Sequence, residues 1–324
     1  MKLNLARVGR ASPRSFLTRA YASNSASSSR AIDDDVRASF RHCVALTRAR
    51  DYETYLCTLH LSRAHAPAAF AVRAFNAETA SIAGASSEDA VALAKLYWWR
   101  DVVERLASGA DAPEIKGHPV ARALSAVFGA SPRVISRVLL KRMVDARIAD
   151  VTSQGGVRDV AALEKYAADA HASALALTLD ACGVANSECD HAASHLGRAI
   201  GLSALLRGTV AHARQRRCYL PREALARRGA SVESVYRMES SEAIRDVAHE
   251  VASVAKGHLD SARGMEARVP REFRGFFLQA TPTGRFLDAL EARDFDVFDE
   301  RVARVEASVF AQAQIAWNAY RKTY

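Results

Sequence analysis

The sequence predicts an all-α protein, and three observations support that prediction. Apolar residues recur at helical spacing along most of the 324 residues. Almost no segment shows the apolar–polar alternation with a period of two that is typical of a strand. Several prolines stand at the starts of the predicted helices, where their missing N–H leaves no helical hydrogen bond unmade. Because 49% of the residues are hydrophobic, the chain can bury a sizeable core.

Start signals place the helices of the first half. Asp33–Asp35 opens the first helix, since acidic residues at a helix start are stabilised by the helix dipole. Pro67 lies in the first turn of the second. Ser86 and Asp89 form a Ser-x-x-Asp capping pattern for the third. We expect helices over about residues 35–50, 67–82, 86–107, 119–128 and 132–149, with a loop at 109–117.

The pair Gly155-Gly156 separates this half from the second, which continues the same pattern. We expect further helices over about residues 158–181, 188–213, 221–229, 240–263, 271–291 and 295–320. The sequence shows no internal repeat and no second composition regime. Residues 33–324 are therefore predicted to form a single domain.

Most of the positive charge belongs to an N-terminal extension. The chain has 45 Lys and Arg against 36 Asp and Glu, a formal charge of +9. Residues 1–32 contain six of these bases and no acid, which leaves +3 for residues 33–324. An Arg- and Ser-rich, acid-free start is typical of an organellar transit peptide, and Arg19–Ala22 resembles a matrix-processing site. We predict a mitochondrial transit peptide with a Ser-rich linker over 1–32. The alternative is a disordered basic tail.

Other classes are disfavoured by what the sequence lacks. No apolar stretch has the length of a transmembrane helix. Five scattered cysteines suit a reducing compartment better than a disulfide scaffold. No phosphate-binding loop, nucleophile elbow or nucleic-acid-binding motif is present. Trp98 and Trp99 are read as helix core rather than a nucleic-acid stacking platform, so we expect no nucleic-acid partner.

Two segments allow a second interpretation. His191 and His195, four residues apart with Cys182 and Cys189 upstream, have the spacing of a zinc site. The cysteine spacing and the absence of a glutamate after His191 favour ordinary histidines instead. The helix predicted at 271–291, rich in Phe and Arg, reads either as a buried bundle helix or as one lying on an acidic membrane surface, and we favour burial.

Four strings resemble the squalene/phytoene synthase family. Gly201–Arg207 and Arg216–Pro221 resemble the helix G-x-A-x-Q-L-T-N-I-L-R-D and the loop G-R-x-Y-L-P of that family. Trp98–Asp101 resembles its Q-x-W-W-R segment, and Ala69–Phe75 resembles its Y-A-L-Y-A-F helix. The resemblance implies an isoprenoid-synthase-like helical bundle around a central cavity.

Within that family the chain resembles the mitochondrial complex I assembly factor 6 proteins. The matching strings, in order, are Arg50–Glu53, Arg73–Glu78, Asp190–Gly197 and Arg321–Tyr324. This resemblance implies a factor that assists early assembly of respiratory complex I, NADH:ubiquinone oxidoreductase. It implies a peripheral position on the matrix side of the mitochondrial inner membrane, with contact to inner-membrane lipid. The implied partners are complex I assembly intermediates or other assembly factors.

The resemblance also shows which chemistry the chain lacks. Active members ionise a prenyl diphosphate that is held by Mg²⁺, and two D-x-x-x-D motifs on facing helices supply the carboxylates. Aligned on the Tyr-Leu-Pro string, the second pair falls on Gly208 and His212. The first pair falls on Ala80 and Gly84, or on Asn76 and Ala80 after a shift of four.

None of these positions carries a carboxylate, and Glu78 is the only acid between residues 68 and 87. We therefore predict a pseudoenzyme with no catalytic residues, no bound metal and no cofactor. Two alternatives use the same cavity. One is a prenyl-diphosphate or lipid transferase with a reorganised site, and the other is an isoprenoid- or lipid-binding module.

Polar residues on the helices that line the cavity in this family form a candidate remnant pocket. Arg207 matches the family's arginine just before the second motif. The candidate residues are Arg73, Asn76, Glu78, His195, Arg207 and His212. Such a pocket can bind a lipid phosphate or an acidic partner segment. The alternative, which we favour for any single residue, is a satisfied polar group in a helical core.

Overall fold

The protein is described by a computed structural model that covers residues 26–86, 88–108, 112–130, 136–154, 156–303 and 308–324. Over these ranges the chain is helical, and its β-type pairing is limited to one isolated parallel bridge between Gly156 and Cys218. The predicted all-α class is confirmed.

The helices alternate with short connections. Those of the first half are α1 (Ala26–Arg50), α2 (Tyr52–Thr58), α3 (Ala66–Ala85), α4 (Asp89–Ser108), α5 (Pro113–Gly117), α6 (Pro119–Ala130) and α7 (Arg137–Thr152). Those of the second half are α8 (Val160–Ala167), a π-helical segment (Ala168–Ala172), α9 (Ser173–Ala181), α10 (Ser187–Arg207), α11 (Thr209–Arg214), α12 (Arg222–Arg227), α13 (Val232–Tyr236), α14 (Glu242–Gly264), a 3₁₀ segment (Arg274–Phe277), α15 (Ala280–Glu291), α16 (Glu300–Ala303) and α17 (Val309–Arg321).

Three helix starts in the first half differ from the prediction. Within the described residues, α1 already covers residues 26–32, before the acids at 33–35. The loop predicted at 109–117 contains the short helix α5, because Pro113 lies in its first turn, where its fixed φ fits. The helix predicted from residue 132 begins at Arg137 instead. Its N-cap is Ser136, whose hydroxyl accepts a hydrogen bond from the backbone N–H of Leu139.

The continuous helix predicted over 271–291 was wrong. A 3₁₀ segment ends at Phe277, and α15 starts at Ala280. Pro282 explains the break, because a proline inside a continuous helix would remove one hydrogen bond and clash with the preceding turn. The same residue fits the first turn of α15. Phe276 and Phe277 are buried, which confirms the bundle interpretation of this segment.

Other predicted helices are also divided. The helix predicted over 158–181 contains the π-helical segment, and the one over 188–213 is interrupted at Gly208. The helix predicted over 295–320 becomes α16 and α17, and residues 304–307 lie outside the described part of the chain.

Buried apolar side chains form two large clusters, and α9 belongs to both. Helices α1, α3, α4, α6 and α7 pack around one cluster, and α10, α14 and α15 around the other. On α9, Ala174 and Leu177 face the first cluster, whereas Leu175 and Leu179 face the second. Gly197 lets α10 approach the π-helical segment, since a Cβ there would lie 2.7 Å from the Cβ of Ala172.

Candidate functional site

The two segments aligned with the metal motifs face each other. One is the C-terminal half of α3, with Ala80 and Gly84. The other runs from the end of α10 through α11, with Gly208 and His212. A Cβ built on Gly84 would lie 3.3 Å from the side-chain amide of Gln215, just after α11. The fold therefore keeps the opposed arrangement in which two motifs can share a ligand.

At the second motif, the His212 imidazole occupies the place of a side chain at Gly208. A Cβ built on Gly208 would lie 2.9 Å from Nε2 of His212 and would overlap Cε1. The ring also packs edge-on against Tyr219, with centroids 4.5 Å apart. Burial, aided by the charge of Arg217, lowers the pKa of His212 to about 4, so the imidazole is neutral at pH 7. A neutral imidazole is a poor ligand for Mg²⁺.

The first motif offers no carboxylate in either alignment. Ala80 and Gly84 are exposed and carry no polar side-chain atom. Asn76 is buried, and its Oδ1 has no hydrogen-bond partner among the described residues. The residues present do not fit a Mg²⁺–diphosphate cluster, so no step of prenyl transfer can be derived for this chain.

Glu78 lies away from these positions. Its Oε1 is 3.0 Å from Nε2 of His118. Both residues line a groove of about 650 Å³ beside Trp98 and Trp99. Trp99 is buried and packs edge-on against Phe75, which agrees with the predicted core role of the Trp pair. Glu78 is therefore not brought together with the other candidate pocket residues.

His195 belongs to a separate cluster between α8, α10 and α14. Its Nδ1 is 2.9 Å from Nδ1 of His258, whose Nε2 is 3.1 Å from a carboxylate oxygen of Glu164. His191 is exposed, and its ring centroid lies 5.1 Å from that of His195. This cluster does not adjoin the motif positions.

The cysteines of the zinc alternative lie in apolar surroundings. Burial raises the pKa of Cys182 to about 12 and that of Cys189 to about 11, so both thiols are protonated at pH 7. The Cys182 thiol donates to the carbonyl of His65. Across the part of the chain that the structure describes, no group of three or more His, Cys, Asp or Glu side chains is arranged to hold a metal ion.

Arg207 is held by an ion pair at the end of α10. Its Nη1 donates to a carboxylate oxygen of Glu53 on α2 over 2.8 Å. The guanidinium also lies 4.5 Å from the ring centroid of Phe286. The arginine that the resemblance places beside the second motif therefore links α2, α10 and α15.

A buried polar network, which the sequence did not predict, lies behind the second motif. The Asp150 carboxylate accepts hydrogen bonds from Nη2 of Arg217 at 3.0 Å and from the hydroxyl of Tyr219 at 2.9 Å. Tyr219 stacks on Tyr166, whose hydroxyl accepts a hydrogen bond from Arg147. Arg147 and Asp150 lie three residues apart on α7. Arg217 and Tyr219 belong to the Arg216–Pro221 string, but nothing in the sequence pairs that string with Asp150.

The surroundings of this network are cationic. Arg73 is buried on α3 and makes no ion pair within the described ranges. Nη2 of Arg147 is buried without a hydrogen-bond partner among the described residues. Burial, together with Arg147 and Arg73, lowers the pKa of His171 to about 3 and keeps that imidazole neutral. Chemically, this region can stabilise an anion, but it offers a divalent cation no free carboxylate.

The comparison with protein families agrees with this geometry. A family model described as squalene/phytoene synthase matches residues 47–309. The chain belongs to the squalene/phytoene synthase family. Its fold is similar to a dehydrosqualene synthase structure with a TM-score of 0.74 at 18% identity, covering 90% of this chain and all of that one. A squalene synthase from Alicyclobacillus acidocaldarius has a TM-score of 0.69 at 19% identity, covering 81% and 96%. The predicted isoprenoid-synthase-like bundle is confirmed.

Curated relatives of this squalene/phytoene synthase family member carry another name. They are called NADH dehydrogenase (ubiquinone) complex I, assembly factor 6, or its homolog. The Drosophila melanogaster protein is 36% identical over 79% of this chain and 76% of its own length. The Rattus norvegicus protein is 35% identical over 80% and 76%, and the Homo sapiens protein is 32% identical over 87% and 82%. The resemblance to this branch is confirmed.

Proposed function

We propose that this chain is a non-catalytic mitochondrial factor that assists early assembly of respiratory complex I. The observation that carries the proposal is its identity to assembly factor 6 proteins. That identity is 32–36% and extends over 79–87% of the chain for the fly, rat and human proteins. A match of this length takes in both facing motif segments and the helices around them.

The absence of catalysis is supported by the site itself. Departure of a diphosphate needs divalent cations held by several carboxylates. Here the first motif aligns with Ala80 and Gly84, or with Asn76 and Ala80. The second motif aligns with Gly208 and His212. The imidazole of His212 also fills the space that a carboxylate at position 208 would need. These losses act together and favour a pseudoenzyme over a weakened transferase.

The proposed location is the matrix side of the mitochondrial inner membrane, where the chain is bound peripherally. The acid-free, Arg- and Ser-rich composition of residues 1–32 supports import into mitochondria, although residues 1–25 lie outside the described part of the chain. Within the described residues, no helix is long and apolar enough to span a bilayer. The proposed partners are complex I assembly intermediates or other assembly factors.

Two measurements test the proposal. Deletion of the gene, followed by separation of respiratory complexes on a native gel, should show loss of complex I and its recovery on re-expression. A normal level of complex I in the deletion strain would contradict the assembly role. Purified protein incubated with Mg²⁺ and a prenyl diphosphate should release no diphosphate. Release that scales with protein concentration would show that the chain is an enzyme.

A second candidate function is the binding of an isoprenoid or a lipid phosphate in the interior. The observation that favours it is that the buried Arg73 and Arg147 make no ion pair in the described ranges and have Asp51 and Asp150 as more distant carboxylates, since a buried cation is costly unless an anion compensates it. Extraction of the purified protein, followed by mass spectrometry, should then recover a stoichiometric anionic lipid. Its absence would leave assembly without a bound lipid.

A further inference from the structure

Helix α17 buries one face and exposes the other. Ala311 and Ile315 are buried, and the side-chain amide of Asn318 donates to the hydroxyl of Thr281 on α15 over 2.9 Å. These contacts fix which side of the helix faces solvent. The exposed side is therefore a defined surface of the folded protein.

Large aromatic residues occupy that exposed side. Phe310 is 80% exposed, Trp317 58% and Tyr320 80%. Together with Ala313 they form the spacing i, i+3, i+7 and i+10, which places them in one line along the helix. We call these four residues the α17 stripe. Exposed aromatic residues in a continuous line mark an interaction surface rather than ordinary surface composition.

The charge on α17 is of one sign. The helix contains no Asp or Glu, and Arg321 and Lys322 stand at its C-terminal end beside Tyr320. Neither basic side chain makes an ion pair among the described residues. The aromatic stripe therefore ends in two cations that are free to meet negative charge.

A second cationic feature adjoins α2, which also packs against the buried face of α17. Leu56 and Cys57 of α2 pack with Ile315 and Ala319 of α17. The first turn of α2 lines a groove of about 450 Å³ along α1, which we call the α1 groove. Its lining includes Arg41, Arg48, Tyr52 and Tyr55.

Both arginines of the α1 groove are exposed and lack an ion-pair partner in the described ranges. The Arg48 guanidinium lies 5.8 Å from the ring centroid of Tyr55. Helix α2 thus borders the groove and packs against the buried face of α17, the face opposite to the stripe.

We propose that the α17 stripe, with Arg321 and Lys322 at its end, binds a bilayer containing anionic phospholipid. Trp and Tyr favour the headgroup level of a bilayer, because their rings are apolar with one polar atom. Basic side chains near an anionic leaflet each add to the attraction. Phe310 and Tyr320 project into solvent rather than line a concavity, which suits insertion between lipids better than reception of a protein side chain. The proposal rests on the membrane location proposed above and assigns the contact to named residues.

The test measures sedimentation of the full-length protein with phosphatidylcholine vesicles, prepared with and without phosphatidylglycerol. We expect binding only to the anionic vesicles, decreasing as salt is raised. The double variant W317S/Y320S should bind about tenfold more weakly, because it removes most of the inserting area. R321Q/K322Q should lose about fivefold for each basic residue, whereas R41Q/R48Q, in the α1 groove, should bind like the wild type.

Matched controls place the contact on this face. Tyr97→Ser removes an aromatic residue of α4 that is 48% exposed, and Arg214→Gln removes an exposed cation at the end of α11. Both should bind like the wild type. Trp317→Phe keeps an apolar ring but removes the exposed indole. It should therefore retain binding while losing the blue shift of tryptophan fluorescence on anionic vesicles.

Three results would overturn the proposal: no binding to anionic vesicles, equal binding to neutral vesicles, or losses in the two controls as large as in the stripe variants. Loss of complex I in cells expressing W317S/Y320S without any vesicle binding by the wild type would assign the stripe to a protein partner instead. If the wild type restores complex I but never binds vesicles, the lipid surface fails and the assembly role stands. If vesicle binding is as expected but complex I is normal in the deletion strain, the assembly role fails alone.

Discussion

The buried pair Asp150–Arg217 should be the most sensitive ionic contact in the described part of the chain. The two side chains are only 7% and 9% exposed, and the carboxylate also accepts the Tyr219 hydroxyl. Asp150→Leu leaves the Arg217 guanidinium buried without its partner. Arg217→Met leaves the Asp150 carboxylate buried without its partner. Breaking a buried pair from one side costs about 3–5 kcal/mol. We expect each single variant to lose free energy of unfolding of that order.

The double variant D150L/R217M separates this explanation from simple loss of packing. With both charges gone, no unpaired ion remains, so the double variant should be more stable than either single variant. The measurement is urea unfolding followed by circular dichroism at 222 nm. Arg227→Gln is the surface control. It breaks the exposed pair with Glu250 and should cost less than about 1 kcal/mol. Additive losses in the double variant, or single losses no larger than the surface control, would refute the reasoning.

Three further outcomes follow from the same structure. Gly208→Ala should lower the free energy of unfolding by about 1–3 kcal/mol, because the added Cβ would overlap the His212 ring. Adding His212→Ala should recover most of that loss in the same urea assay. The low pKa of His212, about 4, means that its contribution to stability is fully present above pH 6.5 and is lost as the pH falls toward 4, by up to about 3 kcal/mol. Unfolding curves of His212→Phe across that range should show a smaller loss than the wild type, and the part due to the buried His171 should remain. Tyr324→Phe removes the hydrogen bond to the carbonyl of Ala262 and should lower the free energy of unfolding in urea by about 1 kcal/mol. Deletion of the buried Tyr324 should lower it several times more. Equal losses from the two changes would contradict a packing role for this ring.

Hydrophobic periodicity predicted the helical class and most helices, because the apolar face of a helix is formed by residues only three and four positions apart. The break before Pro282 also has a local cause, but periodicity alone does not register it. The network around Asp150 joins residues 67 and 69 positions apart, and no local pattern reveals such a pairing. The loss of the metal motifs was readable from the residues themselves. The filling of the Gly208 position by the His212 ring was not, since it depends on the side-chain rotamer.

The position of helix α9 between the two apolar clusters affects how the protein unfolds. Because its alternate residues contribute to both apolar clusters, neither half can lose its structure without exposing apolar surface of the other. The two clusters should therefore melt together, and heating should give one calorimetric transition whose van't Hoff and measured enthalpies agree. If the chain were divided on either side of α9, one half would expose the apolar residues that α9 normally covers. Separately expressed halves are therefore expected to aggregate rather than fold.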